Sequence, residues 1–236
     1  MKLRHIALLP SAVWVLTAAQ APSELLKSTL EKMDAASVRF KGMTADVKEI
    51  GHLDAINEDD TQSGTVVVKR ANPKSKELHL RVDFTEPDRR LICFADRRGE
   101  VYNPKENSVQ IYDLSRKDRA LAEQFLLLGF GSAPADMQSS YSIALGGPEM
   151  VNGQQTVRLI LTPKAHDQLG TITKVELWIS VASDNAGLAV QQKFWEKGKD
   201  YHLTVYSNMK LNASISDSAV RCNIPKDAHQ EHPLGH

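Results

Sequence analysis

The sequence predicts a mainly β (α+β) protein: one strongly curved antiparallel sheet of about ten strands, an incomplete β-barrel with a helical lid. Three observations predict it. Short segments of period-two alternation recur through most of the chain, and Pro, Gly, Asn and Asp turn signals separate them closely. Two helical stretches also carry apolar faces, the second too wide for a helix lying on one flat sheet. Strands joined by short turns pair antiparallel, because a parallel pair needs a crossover of a dozen or more residues. A sheet this wide has to curl or close.

The chain opens with Lys2 and Arg4, an apolar run from Ile6 to Leu16 (IALLPSAVWVL) and the small residues TAAQA. That is the pattern of a secretory signal peptide, and its apolar run is well short of the ~20 residues that cross a bilayer. Cleavage is expected after Ala19, with no cysteine following to take a lipid anchor. The expected organisation is a signal peptide over 1–19, a single domain over 20–227 and a flexible, polar, His-rich tail over 228–236. The mature protein is expected to be exported and soluble.

Ser23 can cap a first helix in which Leu26, Leu30, Met33 and Phe40 recur at helical spacing, with Ser37 breaking the stripe and Gly42 ending it. The period then changes to two: Met43, Ala45 and Val47 form one face of a strand. The polar stretch GHLDAINEDDTQS reads as a link to GTVVVKRANP (64–73), where Val66, Val68 and Arg70 share a face and Lys69 points to water. ELHLRVDF (77–84) sets Leu78, Leu80, Val82 and Phe84 on one side, and RLICFA, EVYNP and SVQIYDL follow. A second helix is predicted from Ser115 and Asp118, a capping pair, with Leu121, Phe125 and Leu128 on one face and Gly129 as its C-terminal cap. The strand rhythm resumes with YSIAL, QTVRLILTP, TKVELWIS, LAVQQKFW, YHLTVYSNMKL and AVRCNIP.

Composition excludes more than it proposes. Apolar residues are 42% and charged residues 25% of 236, with Lys+Arg and Asp+Glu equal at 29 each, so nothing pushes the chain toward nucleic acid or an anionic membrane surface. No HExxH, GxSxG, P-loop or GxGxxG motif is present, and GFGSA at 129–133 follows a helix, where it reads as a cap. His166 beside Asp167 has no nucleophile in a recognisable motif, and His229, His232 and His236 lack the fixed geometry of a metal site. The reading is therefore not an enzyme, with no catalytic residue, cofactor or metal. Cys93 and Cys222 can pair in an oxidising compartment or be two small buried hydrophobes; the residues alone leave both open. What remains is apolar capacity: a plain core, or a cavity for an acyl chain under a movable lid.

The series GTVVVKRANP, FTEPDRRLICFADRRGEVYNP and RLILTPK resembles, in order and spacing, the LolA-type periplasmic outer-membrane lipoprotein carrier protein family. The matching positions are Lys69 and Arg70, then Pro87 and Asp88, then Tyr102, Asn103 and Pro104, with Pro225 closing the last strand. The chain departs from the pattern at Ala71, where the family commonly has the proline found here as Pro73, and at DRRG, where the family tends toward an Asp-Gly turn. The resemblance implies a half-barrel whose cavity shields the acyl chains of lipoproteins crossing the periplasm, with Arg70 as the lid latch. Val66, Val68, Leu78, Leu80, Val82 and Phe84 would line the cavity; Leu26, Leu30, Met33, Leu121, Phe125 and Leu128 would lie on the lid helices. It implies acylated lipoproteins as cargo, an inner-membrane lipoprotein-releasing ABC transporter as donor, an outer-membrane lipoprotein acceptor, a monomer and no nucleic acid. The alternative is a lipid-binding protein of the same fold that senses lipoproteins or carries another lipid.

Overall fold

A computed structural model describes residues 21–72, 75, 77–113, 128–164, 171–182 and 184–233. The signal segment, the second helix with Ser115, Asp118, Leu121 and Phe125, the His166–Asp167 pair and Pro73 lie outside the described residues.

Helix α1 spans Pro22–Arg39. It starts one residue before the expected Ser23 cap, because Pro22 supplies the fixed φ and missing N–H suited to a first helical position, and Ala21 is the N-cap. Phe40, in extended conformation, ends it by donating its N–H to Ala36. Strands β1 (Gly42–Leu53) and β2 (Glu58–Arg70) then form one long hairpin, paired without interruption from Gly42 with Lys69 to Leu53 with Glu58. The stretch read as a polar link is therefore strand on both sides of a turn at 54–57. Its distal residues are mostly solvated, so the ladder needs no apolar alternation there.

From β2 the chain meanders through β3 (Leu78–Glu86), β4 (Arg90–Ala95), β5 (Arg98–Asn103) and β6 (Ser108–Asp113). It then crosses to the opposite edge of the sheet. There the short helix α2 (Pro134–Ser140) leads into β7 (Tyr141–Val151), β8 (Gln154–Pro163), β9 (Ile172–Ser180), β10 (Ala189–Glu196) and β11 (Tyr201–Leu211), which returns to pair with β1. With His229–Glu231 as β12, strand order is β12-β6-β5-β4-β3-β2-β1-β11-β10-β9-β8-β7, with β7 and β12 at opposite open edges. Among the described residues, twelve strands thus replace the expected ten or so, all antiparallel except the pairing of β12 with β6.

The sheet is strongly curved. Ile92 of β4 and Ile172 of β9 line the same cavity, although six strand-to-strand steps separate those strands, about 29 Å in a flat sheet. Only curling brings them together.

The expected flexible tail is corrected in its first part. Strand β12 (His229–Glu231) pairs in parallel with β6, and Ala228 is buried beside Tyr102, Val109 and Ile111. A disulfide between Cys93 and Cys222, with Cα atoms 5.7 Å apart, explains this order. The staple holds the C-terminal segment against β4, a short reach from the β6 edge that β12 then covers. Lys69 also does more than meet water: its Nζ pairs with Asp217 Oδ1, a largely exposed contact worth little.

Candidate functional site

A cavity of about 290 Å³ lies within the curve of the sheet. Its floor comes from alternate residues of neighbouring strands, since every second side chain faces the same side. Register sets Val66 opposite Val82 and Val68 opposite Leu80, with Ile92 beside Val82, and all five line the cavity together with Val47 and Phe84. Across the curve, Ile172, Phe194, Tyr206 and Gln192 complete the wall, and Phe130 covers it. Of the six residues expected to line a cavity, Leu78 differs: it is 2% exposed within the packed cluster around Phe40 and Ala36 and lines no part of the space.

The expected lid residues divide in another way. Met33 and Leu128 are buried, and Leu26 and Leu30 packed, against the cluster of Val157, Leu159, Leu161, Val175, Leu177 and Ile179. Leu26 and Leu30 also border an outer groove beside Pro134 and Gln138, away from the cavity. Helix α1 therefore covers the β8–β9 wall, while a turn over Leu128–Gly131 roofs the cavity.

Two polar devices hold these covers in place. The Arg70 guanidinium donates from Nε to the Phe40 carbonyl (2.6 Å), from Nη2 to the Ser37 carbonyl (2.8 Å) and more distantly to that of Gly131 (3.4 Å), and from Nη1 to that of Ser75 (3.0 Å). Ser37 and Phe40 lie at the end of α1, where carbonyls lack intrahelical partners, so one planar fork of donors satisfies several orphan acceptors. Burial lowers the Arg70 pKa, yet the group stays charged, as an arginine of such high intrinsic pKa must. Ser37, which breaks the apolar stripe, is itself 7% exposed and supplies one of these acceptors.

The second device escaped the sequence reading. Gln192, 3% exposed, donates through Nε2 to the Leu128 carbonyl and accepts at Oε1 from the Tyr206 hydroxyl (3.2 Å). Burial of that hydroxyl pushes the Tyr206 pKa up, so it remains a donor. The Ala189 N–H adds a bond to Gly129 O (3.0 Å), and Phe130 meets the Tyr206 ring edge-on at 4.7 Å. Gly129 fits because its φ is +89° and a Cβ there would come within 2.4 Å of the Ala189 Cβ. Leu128, Gly129 and Gly131 thus present three carbonyls to Gln192, Ala189 and Arg70.

One end of the cavity is polar. Glu49, Thr204 and His202 line it, and the Glu49 carboxylate, 3.8 Å from His202 Nδ1, raises the imidazole pKa while burial opposes the shift. Beyond the cavity, Glu77, His79 and Asp96 bring three ligand atoms within 4.8 Å of one another, a grouping able to hold a metal ion, although Arg221 also reaches Asp96 (3.5 Å). No described helix is long and apolar enough to cross a membrane.

No family model and no curated protein matches the chain. Among solved structures, an uncharacterized conserved protein from Thermus thermophilus is similar over 88% of this chain and 99% of its own, at 14% identity and a TM-score of 0.51. The LolA superfamily protein NE2245 from Nitrosomonas europaea is similar over 83% of this chain and 97% of its own, at 18% identity and a TM-score of 0.43. The Mycobacterium tuberculosis lipoprotein LppX covers 80% of this chain with 98% of its own length, at 12% identity and a TM-score of 0.45. At 14% identity the Thermus thermophilus structure speaks for the fold alone.

Proposed function

We propose that this protein is a carrier that shields an acyl chain in the cavity of its half-barrel, with Arg70 as the latch of the cover. The observation that carries the reading is an apolar cavity whose cover is fastened largely through hydrogen bonds to backbone carbonyls. Such bonds each contribute only about 0.5–1.5 kcal/mol net, more where the donor is charged, so they can be exchanged for ligand contacts in a way a fused apolar core cannot. A carrier needs that reversibility. Each buried methylene gains about 0.8 kcal/mol, so a chain of about a dozen resists leaving a bilayer by roughly 10 kcal/mol. The cavity has to return most of this, and opening the latch has to release it.

In this proposal the cargo is an acylated lipoprotein carried across the periplasm, from an inner-membrane ABC transporter to an outer-membrane acceptor. The N-terminal signal pattern and the Cys93–Cys222 disulfide support an exported, oxidised protein. No step within the protein calls for catalysis. One observation favours the second reading, a sensor or a carrier of another lipid: about 290 Å³ lies near the lower limit of the roughly 300–1,000 Å³ of ligand pockets, room for one chain and not several.

Mass spectrometry of material extracted from the natively purified protein separates these readings. An acylated peptide or lipoprotein is expected. A free glycolipid or phospholipid would give the second reading its support, and an absence of lipid, with no uptake of added acyl chains, would end both.

A further inference from the structure

The cavity changes character along the strands. On its lining face β1 presents Val47 and then Glu49, paired with Tyr206 and Thr204 of β11, and one step further Gly51 pairs with His202. On β2, Gln62 stands opposite Glu49 and Asp60 opposite Gly51. Polarity therefore rises with distance from Arg70, on the same face that is apolar near the latch. His202 sits among carboxylates: its Nδ1 is 3.8 Å from Glu49 Oε1, its Nε2 is 3.5 Å from Glu196 Oε1, and Asp200 adds further negative potential. Even a protonated imidazole leaves the carboxylates in excess. On the opposite wall, the Arg90 guanidinium stacks over the Phe84 ring at 5.3 Å and is not among the lining groups.

We propose that this end receives the polar head of an amphiphile whose chain fills the apolar end, and that the head is uncharged or cationic: an ester, amide, hydroxyl or amine. A carboxylate or phosphate head would stand against Glu49 in a partly desolvated site, where like charges are disfavoured more than in water. Uncharged donors find acceptors in Glu49 and Thr204. The inference rests on the acyl-chain reading above and narrows its ligand to chains joined through a neutral or basic group.

The test is displacement of the neutral fluorophore N-phenyl-1-naphthylamine at pH 7.5 by four twelve-carbon amphiphiles: the amine, the glycerol monoester, the carboxylate and the monophosphate, each below its micellar concentration. In the wild type the amine and ester are expected to displace at concentrations at least tenfold below the two anions. Glu49→Gln is expected to narrow that gap to under threefold, chiefly by tighter binding of the two anions, and His202→Gln to leave it intact or widen it; thermal melts check that both variants fold. Anions binding as tightly as the ester, or a gap that Glu49→Gln leaves untouched, would overturn the head assignment while the cavity reading survives. A fluorophore that never binds, with no amphiphile taken up by direct calorimetry, would sink the cavity reading and this inference with it.

Discussion

The β8–β9 wall and the β2–β4 wall are built from the same alternating apolar pattern and end differently. On the first, Leu159, Leu161, Val175, Leu177 and Ile179 are all at 0% exposure, filled against Met33, Met137 and Tyr141 and flanked by Leu26 and Leu30. On the second, Val82 and Ile92 are only partly buried and face the open cavity. What separates them is the cover. Helix α1 presses Leu26, Leu30 and Met33 onto one wall; the other meets Ala36 and Phe40 at one end and, among the described residues, the Leu128–Gly131 turn across the cavity, with Phe130 as the contact. A strand pattern therefore reports that a face is apolar; whether it becomes core or cavity is decided by an element elsewhere in the chain.

Substitutions can break this contrast or sharpen it. Leu177→Ala is expected to cost about 2–5 kcal/mol in denaturant unfolding, the cost of a cavity in a filled core. Val82→Ala should cost about 1 kcal/mol or less, because its methyl groups already face space. Equal losses would erase the distinction between the walls. Overpacking gives the converse. Val175→Phe should cost about 1–3 kcal/mol by the same measurement, whereas Val82→Phe has room for the ring and should be nearly neutral.

Arg70→Leu leaves the carbonyls of Ser37, Phe40 and Ser75 without their donor, a loss of about 1–3 kcal/mol. Its distinctive signature is local: faster hydrogen exchange at the end of α1 and altered lipid transfer, with the sheet still folded. A variant that unfolds cooperatively at much lower denaturant yet transfers lipid normally once folded would reduce Arg70 to a structural residue. The smallest effect expected is a pH dependence. Because Glu49 raises the His202 pKa in the folded state, the pair stabilises below the unfolded imidazole value of about 6.5 and loses this as pH rises through the folded value. Wild type and His202→Gln should accordingly differ in melting temperature at pH 5.5 more than at pH 8.5; a difference that grows with pH would reverse the sign.

Much of the wall was legible in the residues. The alternation of Leu80, Val82 and Phe84, with Val66 and Val68, identifies a single face, and Arg70 falls on it because charge and valines share the same parity. Leu78 obeys the same parity yet lines no part of the cavity: it stands opposite Arg70 in the register and packs in the cluster with Phe40 and Ala36. Gln192 was hidden for a different reason. A bulge between Ala189 and Gln191 shifts the phase of β10, so the face of either glutamine in AVQQKFW does not follow from counting along the strand. The tail misled because polar, His-rich composition carries no trace of a disulfide thrown to it from β4. The apolar stripe of α1 was clear; which wall it covers depends on the chain path.

The central claim is that the β2–β4 wall encloses a space that takes an acyl chain. Titrating a fluorescent fatty acyl probe into the wild type and Val82→Phe, with denaturant unfolding run on both, tests it most directly. The account predicts at least a tenfold loss of probe affinity in Val82→Phe, with stability within about 1 kcal/mol of the wild type. Undiminished binding by a folded Val82→Phe would place the chain elsewhere and contradict the claim.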